Sequence, residues 1–265
     1  MKIKNYKFLS IILVIGFILC IIPSKSVSAK TVYDITLSDI RLTYADKDYT
    51  FAGYHAAKTI EGNKKRYYYL MENIYSKVTA KVNNSSQKKF TLDVGIYDYN
   101  TYQTTFLPTQ RGLLTDKLSI KLPQLSEGHY TIYLCISGMS IYSYSTSFEL
   151  TVVKKDALKY CANVYTHILG KNNSIDCYRD AGSLTGHYTT ARKIADSAYA
   201  NSNLESLNNN DFVTKLYKGF LQRDPDPDGY NFWINKLKTH SKHDIFMDFM
   251  YSYEFEHIIC KYIPY

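Results

Sequence analysis

Three aspartates at alternate positions, Asp224-x-Asp226-x-Asp228, run into Gly229. That spacing opens an EF-hand calcium loop, in which such carboxylates converge on a hard cation and a glycine makes the turn. The loop also needs a bidentate carboxylate at its twelfth position. This sequence supplies Asn235 there, and Asn231 at the eighth position, where an apolar residue is usual. Pro225 and Pro227 give the run a simpler reading as a stiff stop between helices, because neither proline donates a backbone hydrogen bond. Asp226 then caps the following helix, Pro227 takes its first position and Asp228 faces its positive end. Calcium is the one cofactor the sequence raises, and the cap explains the same residues without it.

Tyrosine is the second source of chemistry. The chain has 27 of them. Tyr67, Tyr68, Tyr69, Tyr97, Tyr99, Tyr102, Tyr142 and Tyr144 cluster near expected loops and strand ends. Exposed phenol rings stack on sugars and suit adaptable binding surfaces. The plainer account is that tyrosine fills strand positions well.

Catalytic and metal signatures are missing from the sequence. It has no Gly-x-Ser-x-Gly elbow, His-Glu-x-x-His pair or phosphate-cradling glycine loop. Zinc would need ligand pairs at short spacing, and there is no Cys-x-x-Cys or His-x-x-x-His. Cys161, Cys177, His167 and His187 are the material for a Cys–His pair, but nothing in their spacing favours that over ordinary packing. Outside the leader the cysteines are 135, 161, 177 and 260. Cys135 falls in an apolar strand pattern and reads as a buried thiol, while Cys161 with Cys177 or Cys260 is open as a disulfide.

The elements that must position these residues divide the chain. Residues 30–153 read as all-β. Expected strands are 32–37, 40–44, 49–54, 67–71, 74–82, 90–97, 117–122, 130–136 and 147–153. Phe90, Leu92, Val94 and Ile96 alternate with Thr91, Asp93, Gly95 and Tyr97, and Tyr130, Ile132 and Leu134 share one face. Short strands at this spacing indicate a β-sandwich. Leu125-Ser-Glu-Gly-His-Tyr130 is similar to the tyrosine corner of immunoglobulin-like domains, where the hydroxyl bonds back to the upstream backbone. Lys154-Lys155-Asp156 is too short for a flexible linker, and Asp156 is expected to cap the next helix.

Residues 155–262 read as helical. Phe212, Leu216 and Phe220 make one stripe. The unit repeats at an offset of 52 residues. Tyr160, Val164, Tyr165 and Ile168 align with Phe212, Leu216, Tyr217 and Phe220; Asp176 aligns with Asp228, Ile194 with Phe246. One such unit cannot bury its own apolar face, whereas two stacked units can. Asn208 and Ser241 are expected caps, the second in a capping box with Asp244. Trp233, the single tryptophan, is expected in the core between the repeats.

Leu216-Tyr-x-x-x-Leu-x-Arg-x-Pro-Asp-x-x-Gly-Tyr-x-x-Trp233, with the later Phe249-Met-Tyr-Ser-Tyr-Glu-Phe255, resembles the bacterial family called domain of unknown function 4214. The resemblance covers roughly 155–260. It implies a small all-helical module, similar to phycobilisome linker domains, on secreted and surface proteins. It brings no catalytic residues. The first repeat departs from the pattern, with 171–175 in place of the acidic turn and Ala181 in place of Trp233.

Residues 1–29 read as a secretory signal: Lys2, Lys4 and Lys7, then an apolar run over 8–22, then Val27-Ser28-Ala29 as the cleavage site. Removing it takes four lysines and no acid, so the net charge falls from +8 to +4. A charge of that size is no nucleic-acid signature. The sequence therefore leads to an exported, non-enzymatic protein, secreted or on the cell surface, with membrane association only through an uncleaved leader. Its immunoglobulin-like β-sandwich would bind a glycan, wall polymer or protein, and its helical module would serve docking or assembly. Two alternatives stand beside this. An accessory or catalytic part in extracellular polysaccharide processing requires two carboxylates about 5–10 Å apart in a cleft. A calcium-regulated assembly module requires the aspartates to converge.

Overall fold

The computed structural model describes residues 35–44, 50–51, 54–55, 57–61, 66–138, 141–172, 174–184 and 188–260, with backbone only at 44, within 50–67 and at 141–143, 188 and 189. The expected leader lies outside the described residues. Strands fill the N-terminal part and seven α-helices the C-terminal part.

In chain order the strands are β1 Ile35–Tyr44, β2 Thr50–Phe51, β3 Tyr54–His55, β4 Ala57–Glu61, β5 Arg66–Met71, β6 Ser76–Asn84, β7 Phe90–Asp98, β8 Gln103–Phe106, β9 Gln110–Leu113, β10 Lys117–Leu122, β11 Gly128–Gly138 and β12 Ile141–Val153. One sheet has the order β1-β6-β10. A larger one runs β4-β5-β12-β11-β7-β8, with β9 also on β7. All pairs are antiparallel except β5 with β12.

The period of two decides what is buried. Val78, Ala80 and Val82 in the small sheet, and Leu92, Val94, Ile96, Ile132, Leu134, Phe148 and Leu150 in the large one, enter a shared core. Lys117 and Lys121 alternate outward on β10. Tyr68 joins the sheets: its hydroxyl donates to the Ile40 carbonyl at 2.7 Å, and its ring lies 4.6 Å from Phe148. Tyr130 Oη donates to the Ser126 carbonyl at 2.9 Å, just before β11.

The strands differ from expectation in several places. The described residues of the expected strands 32–37 and 40–44 fall on one strand, β1, with a bulge between Ser38 and Arg41. The expected strand 49–54 gives way to the short β2 and β3, and β4 was not expected. Asp39 takes φ 49° there and accepts from Arg41 Nε at 2.8 Å; aspartate tolerates that left-handed region better than most residues. Strands β8 and β9 escaped the pattern because their residues are mostly exposed and polar, leaving no alternation to read.

The helices are α1 Lys155–Asn163, α2 Ile175–Ser183, α3 Tyr188–Ala200, α4 Asn209–Leu216, α5 Pro227–Lys236, α6 Lys242–Met250 and α7 Tyr253–Cys260. Strand β12 ends at Val153 and α1 starts at Lys155, but Asp156 is not the cap. It lies in the first turn behind Lys154. The orphan N–H of Lys155 instead donates to the Glu72 carboxylate at 3.1 Å, a cap supplied by the β region. Glu72 is itself placed by its N–H, which donates to the Val153 carbonyl at 2.9 Å. Lys154 Nζ reaches Glu127 at 3.2 Å. The expected caps at Asn208 and Ser241 are formed, the latter as a full capping box with Asp244. No helix among the described residues is long and apolar enough to cross a membrane.

Helices α1 and α4 each run into a π-helical turn, Val164–Ile168 and Tyr217–Leu221. The two turns pack against each other where Gly219 meets Ile168. A Cβ on Gly219 would lie 2.5 Å from Ile168 Cδ1, and Ile168 is fully buried. Gly219→Ala is therefore expected to destabilise the protein by about 1–3 kcal/mol, the usual cost of overpacking. Urea unfolding checks this, and Ile168→Val in the same chain should recover part of the loss. Equal stability of Gly219→Ala and the parent would show that the turns do not meet this closely.

Candidate functional site

The outward face of the large sheet collects aromatic side chains around one carboxylate. Across the strands, Tyr97 on β7 pairs with Thr131 on β11, and Thr131 with Glu149 on β12. Period-two alternation turns all three away from the core that Ile96, Ile132 and Phe148 enter. Thr131 is only 3% exposed although polar. Its Oγ1 lies 3.1 Å from Glu149 Oε2 and 3.2 Å from the Tyr99 hydroxyl. Thr131 Oγ1 is the donor in both contacts, and its one hydrogen is shared between the carboxylate and the phenol.

The rings of Tyr97 and Tyr99 meet edge to face at 4.9 Å. Tyr133 lies two residues beyond Thr131 on the same face of β11. Burial raises its phenol pKa, and the nearby Tyr99, Glu149 and Tyr97 raise it further. Tyr133 pairs with Gly95, which has no side chain to stand between the rings. Phe106 of β8 takes that space: a Cβ on Gly95 would lie 3.3 Å from its ring. Phe106 is still half exposed, and so is Tyr99. The result is an aromatic platform of Phe106, Tyr133, Tyr97 and Tyr99 with Glu149 at its side.

Of the tyrosines picked out in the sequence, Tyr97 and Tyr99 meet here, and Tyr102 stands in the adjoining turn, 78% exposed with φ 55°. Tyr68 does not belong to the surface, since the alternation of β5 sends it into the core. Tyr69 points outward but lies under the helices, 6.0 Å from Tyr178. Tyr144 points inward, its hydroxyl 3.4 Å from the Leu37 carbonyl. The side chains of Tyr67 and Tyr142 lie outside those described. Sequence reading missed Tyr133, Thr131, Glu149 and Phe106. The signal for Thr131 and Tyr133 was present, as they are the residues that alternate with Tyr130, Ile132 and Leu134.

The three aspartates of the acidic turn face different partners. Asp224 pairs with Lys218 Nζ at 3.0 Å. Asp226 accepts from the Gly229 N–H at 2.8 Å and from Arg223 Nη1 at 2.9 Å. Asp228 lies exposed in the first turn of α5 behind Pro227. Among the described residues no group of three His, Cys, Asp or Glu side chains is arranged to hold a metal ion.

Arg223 is the centre of this turn. Its Nε and Nη2 grip Glu254 at 2.6 and 2.9 Å, and its guanidinium lies 4.8 Å over the Tyr217 ring. The Glu254 fork raises its pKa still further above the ordinary arginine value. The Tyr217 hydroxyl lies where a Cβ on Gly229 would come within 2.3 Å, so Gly229 is required for clearance. Trp233 is not core: α5 buries no residue fully, and the indole lies half-buried, 4.6 Å from Phe249.

Among the described residues the candidate thiols and His167 have separate surroundings. All four described cysteines are thiols, with Cys161 and Cys177 buried and Cys135 only half-buried on the outward side of β11. Burial pushes the Cys161 thiol pKa well up, and the neighbouring Cys177 and Asp180 add to it. His167 is instead set among Lys218 and Lys215, its pKa lowered by burial first and by those charges second. His187 lies outside the described residues. A cavity of about 310 Å³ beside Val82, Asn84, Gln87, Leu114, Thr115 and Asp116 has Asp116 as the sole acid in its lining.

A family model described as a domain of unknown function, DUF4214, matches residues 191–259. The match holds the whole Arg223–Glu254–Trp233 constellation and begins only within α3. The segment before it lacks the arginine, the acidic turn and the tryptophan. No curated protein matches the chain. Among solved structures, the soluble domain of PmoD from Methylocystis sp. ATCC 49242 (Rockwell) is 13% identical with a TM-score of 0.30, covering 43% of this chain and 90% of that one. A β-glucuronidase of Parabacteroides merdae is 14% identical at 0.28, covering 44% of this chain and 14% of the other. A family 76 glycoside hydrolase from a bovine Bacteroides thetaiotaomicron strain is 13% identical at 0.29, covering 43% and 24%. Likenesses this low carry no functional inference.

The caps give the helices a defined response to acid. The Gly229 N–H and then Arg223 hold the Asp226 carboxyl below its ordinary value, and Ser241 does the same for Asp244. Their contribution is complete above the unfolded carboxylate value of about 4 and is lost as pH falls through the lower folded values. Melting temperature followed by helical circular dichroism is expected to fall below about pH 4. Asp226→Asn keeps a capping oxygen but no charge, and should flatten that fall. An unchanged slope would separate Asp226 from the arginine fork.

Proposed function

We propose that the chain is an exported, non-enzymatic binding protein whose β-region takes an extended glycan on the platform of Phe106, Tyr133, Tyr97 and Tyr99. The observation that carries this is the platform itself: aromatic rings gathered on one sheet face, with Thr131 fixing Glu149 and Tyr99 beside them. Apolar sugar faces stack on such rings, and the carboxylate and phenols orient the hydroxyls. Secretion is inferred from the leader at 1–29 and the small-residue site before Lys30.

The β-region, 30–153, is read as an immunoglobulin-like sandwich. In support, β10 lies in one sheet and β11 in the other, and the crossover between them carries the Tyr130–Ser126 hydrogen bond. The helical region, 155–262, is read as two related units for docking or assembly. In support, α1, its π-turn, α2 and α3 are followed by α4, its π-turn, α5 and α6 in the same order. Tyr160, Val164, Tyr165 and Ile168 are buried as Phe212, Leu216, Tyr217 and Phe220 are. The units differ at the tyrosine hydroxyl. Tyr165 donates to Asp180 at 2.8 Å, whereas the Tyr217 hydroxyl lies against Gly229.

The test is affinity electrophoresis or calorimetry against a panel of soluble polysaccharides and cell-wall fragments. Tyr99→Ala and Tyr133→Ala, singly, are expected to weaken binding at least about tenfold, in line with loss of one stacked ring. Melting temperatures should stay near the parent's. Tyr102→Ala, in the adjoining turn, should weaken it less. Full retention of binding in the double variant would reject the platform.

A further inference from the structure

Resting on the glycan reading, we propose that Glu149 makes this face selective for glycans with unacetylated amino sugars, whose protonated amine it takes while the tyrosine rings flank the charge. Glu149 is half-buried, and none of the ion pairs among the described residues includes it. The polar partner that fixes Glu149 is the neutral hydroxyl of Thr131 at 3.1 Å. A half-buried carboxylate at the side of such a platform loses hydration when a ligand covers it, and that loss is offset best by an opposite charge.

Tyr97, Tyr99 and Tyr133 supply the second half of a cation site. Ring faces attract an ammonium group within about 6 Å, more strongly once water is displaced. A protonated amine also offers three N–H donors, enough for the carboxylate and a phenol oxygen together. An acetamido group offers one N–H and no charge. A uronic acid or phosphate in its place would meet Glu149 as a like charge. The geometry thus ranks ligands in order: amino sugar, then neutral or acetylated sugar, then acidic sugar.

The experiment uses the full chain without its leader, at pH 6, titrated with a glucosamine hexamer and with an N-acetylglucosamine hexamer of the same linkage. The glucosamine hexamer is expected to bind about tenfold tighter, the size of one favourable charge contact. Glu149→Gln keeps the Thr131 hydrogen bond and removes the charge. It should bring the two affinities together by weakening the unacetylated hexamer far more than the acetylated one. Equal binding of both hexamers by the parent, or a preference that survives Glu149→Gln, overturns the amino-sugar assignment and leaves the platform standing. No binding of either hexamer, or of any glycan on the panel, overturns the platform and the assignment with it.

Discussion

Val153 and Thr151 end the last strand with their side chains turned outward, and a helix rather than solvent covers them. A Cβ on Gly182 of α2 would lie 3.3 Å from Thr151 Cγ2 and 3.6 Å from Val153 Cγ1, so the helix backbone sits close on the sheet. Val153 has no exposed surface, and Met71 beside it on β5 is equally enclosed. Glu72 then ties the Val153 carbonyl and the first helical N–H into one knot. The β-core and the helical core are therefore continuous across this joint. The same packing divides the outer sheet face, which is covered at Thr151 and open from Glu149 toward Tyr133, Tyr97 and Phe106. The platform owes its border to it.

The acidic turn is tied into the helical packing around it. Tyr217, Arg223, Asp226, Gly229, Trp233 and Glu254 are all used up in holding α4, α5 and α7 together. Arg223 reaches Glu254 from one side and Asp226 from the other. Gly229 leaves room for the Tyr217 hydroxyl, and Trp233 packs on Phe249. Shared residues of this kind fix a shape and leave little chemistry over. What the helical region presents outward is Phe232, Tyr251 and Tyr253, all exposed.

Much of this was legible from residue types and spacing. Caps at Asn208, Asp226 and Ser241 act over three residues, so local sequence contains the whole interaction. Asp156 failed as a cap because its competitor, Glu72, is distant in the chain and invisible to local rules. The stripe of Phe212, Leu216 and Phe220 announced burial correctly, since a helical period leaves one face inward. Trp233 misled, because a large apolar residue reads as core, whereas its helix packs at the edge of the core and buries no residue fully. For the binding face, clustering tyrosines by sequence proximity was the wrong criterion. Tyr67, Tyr68 and Tyr69 are adjacent in the chain, yet Tyr68 turns inward and Tyr69 outward. Tyr97, Tyr133 and Glu149 are far apart in the chain and become neighbours only through strand register. Cross-strand pairing is the one thing a single sequence does not state.

The central claim is that one aromatic sheet face binds glycan while the other tyrosines serve structure. Tyrosine-ring NMR on selectively labelled protein, titrated with an oligosaccharide that binds, tests it most directly. The account predicts that the ring signals of Tyr97, Tyr99 and Tyr133 shift with a common saturation curve, while those of Tyr68, Tyr130, Tyr160 and Tyr178 stay in place. Saturable shifts confined to rings elsewhere, such as Tyr251 and Tyr253 on the helices, would contradict it.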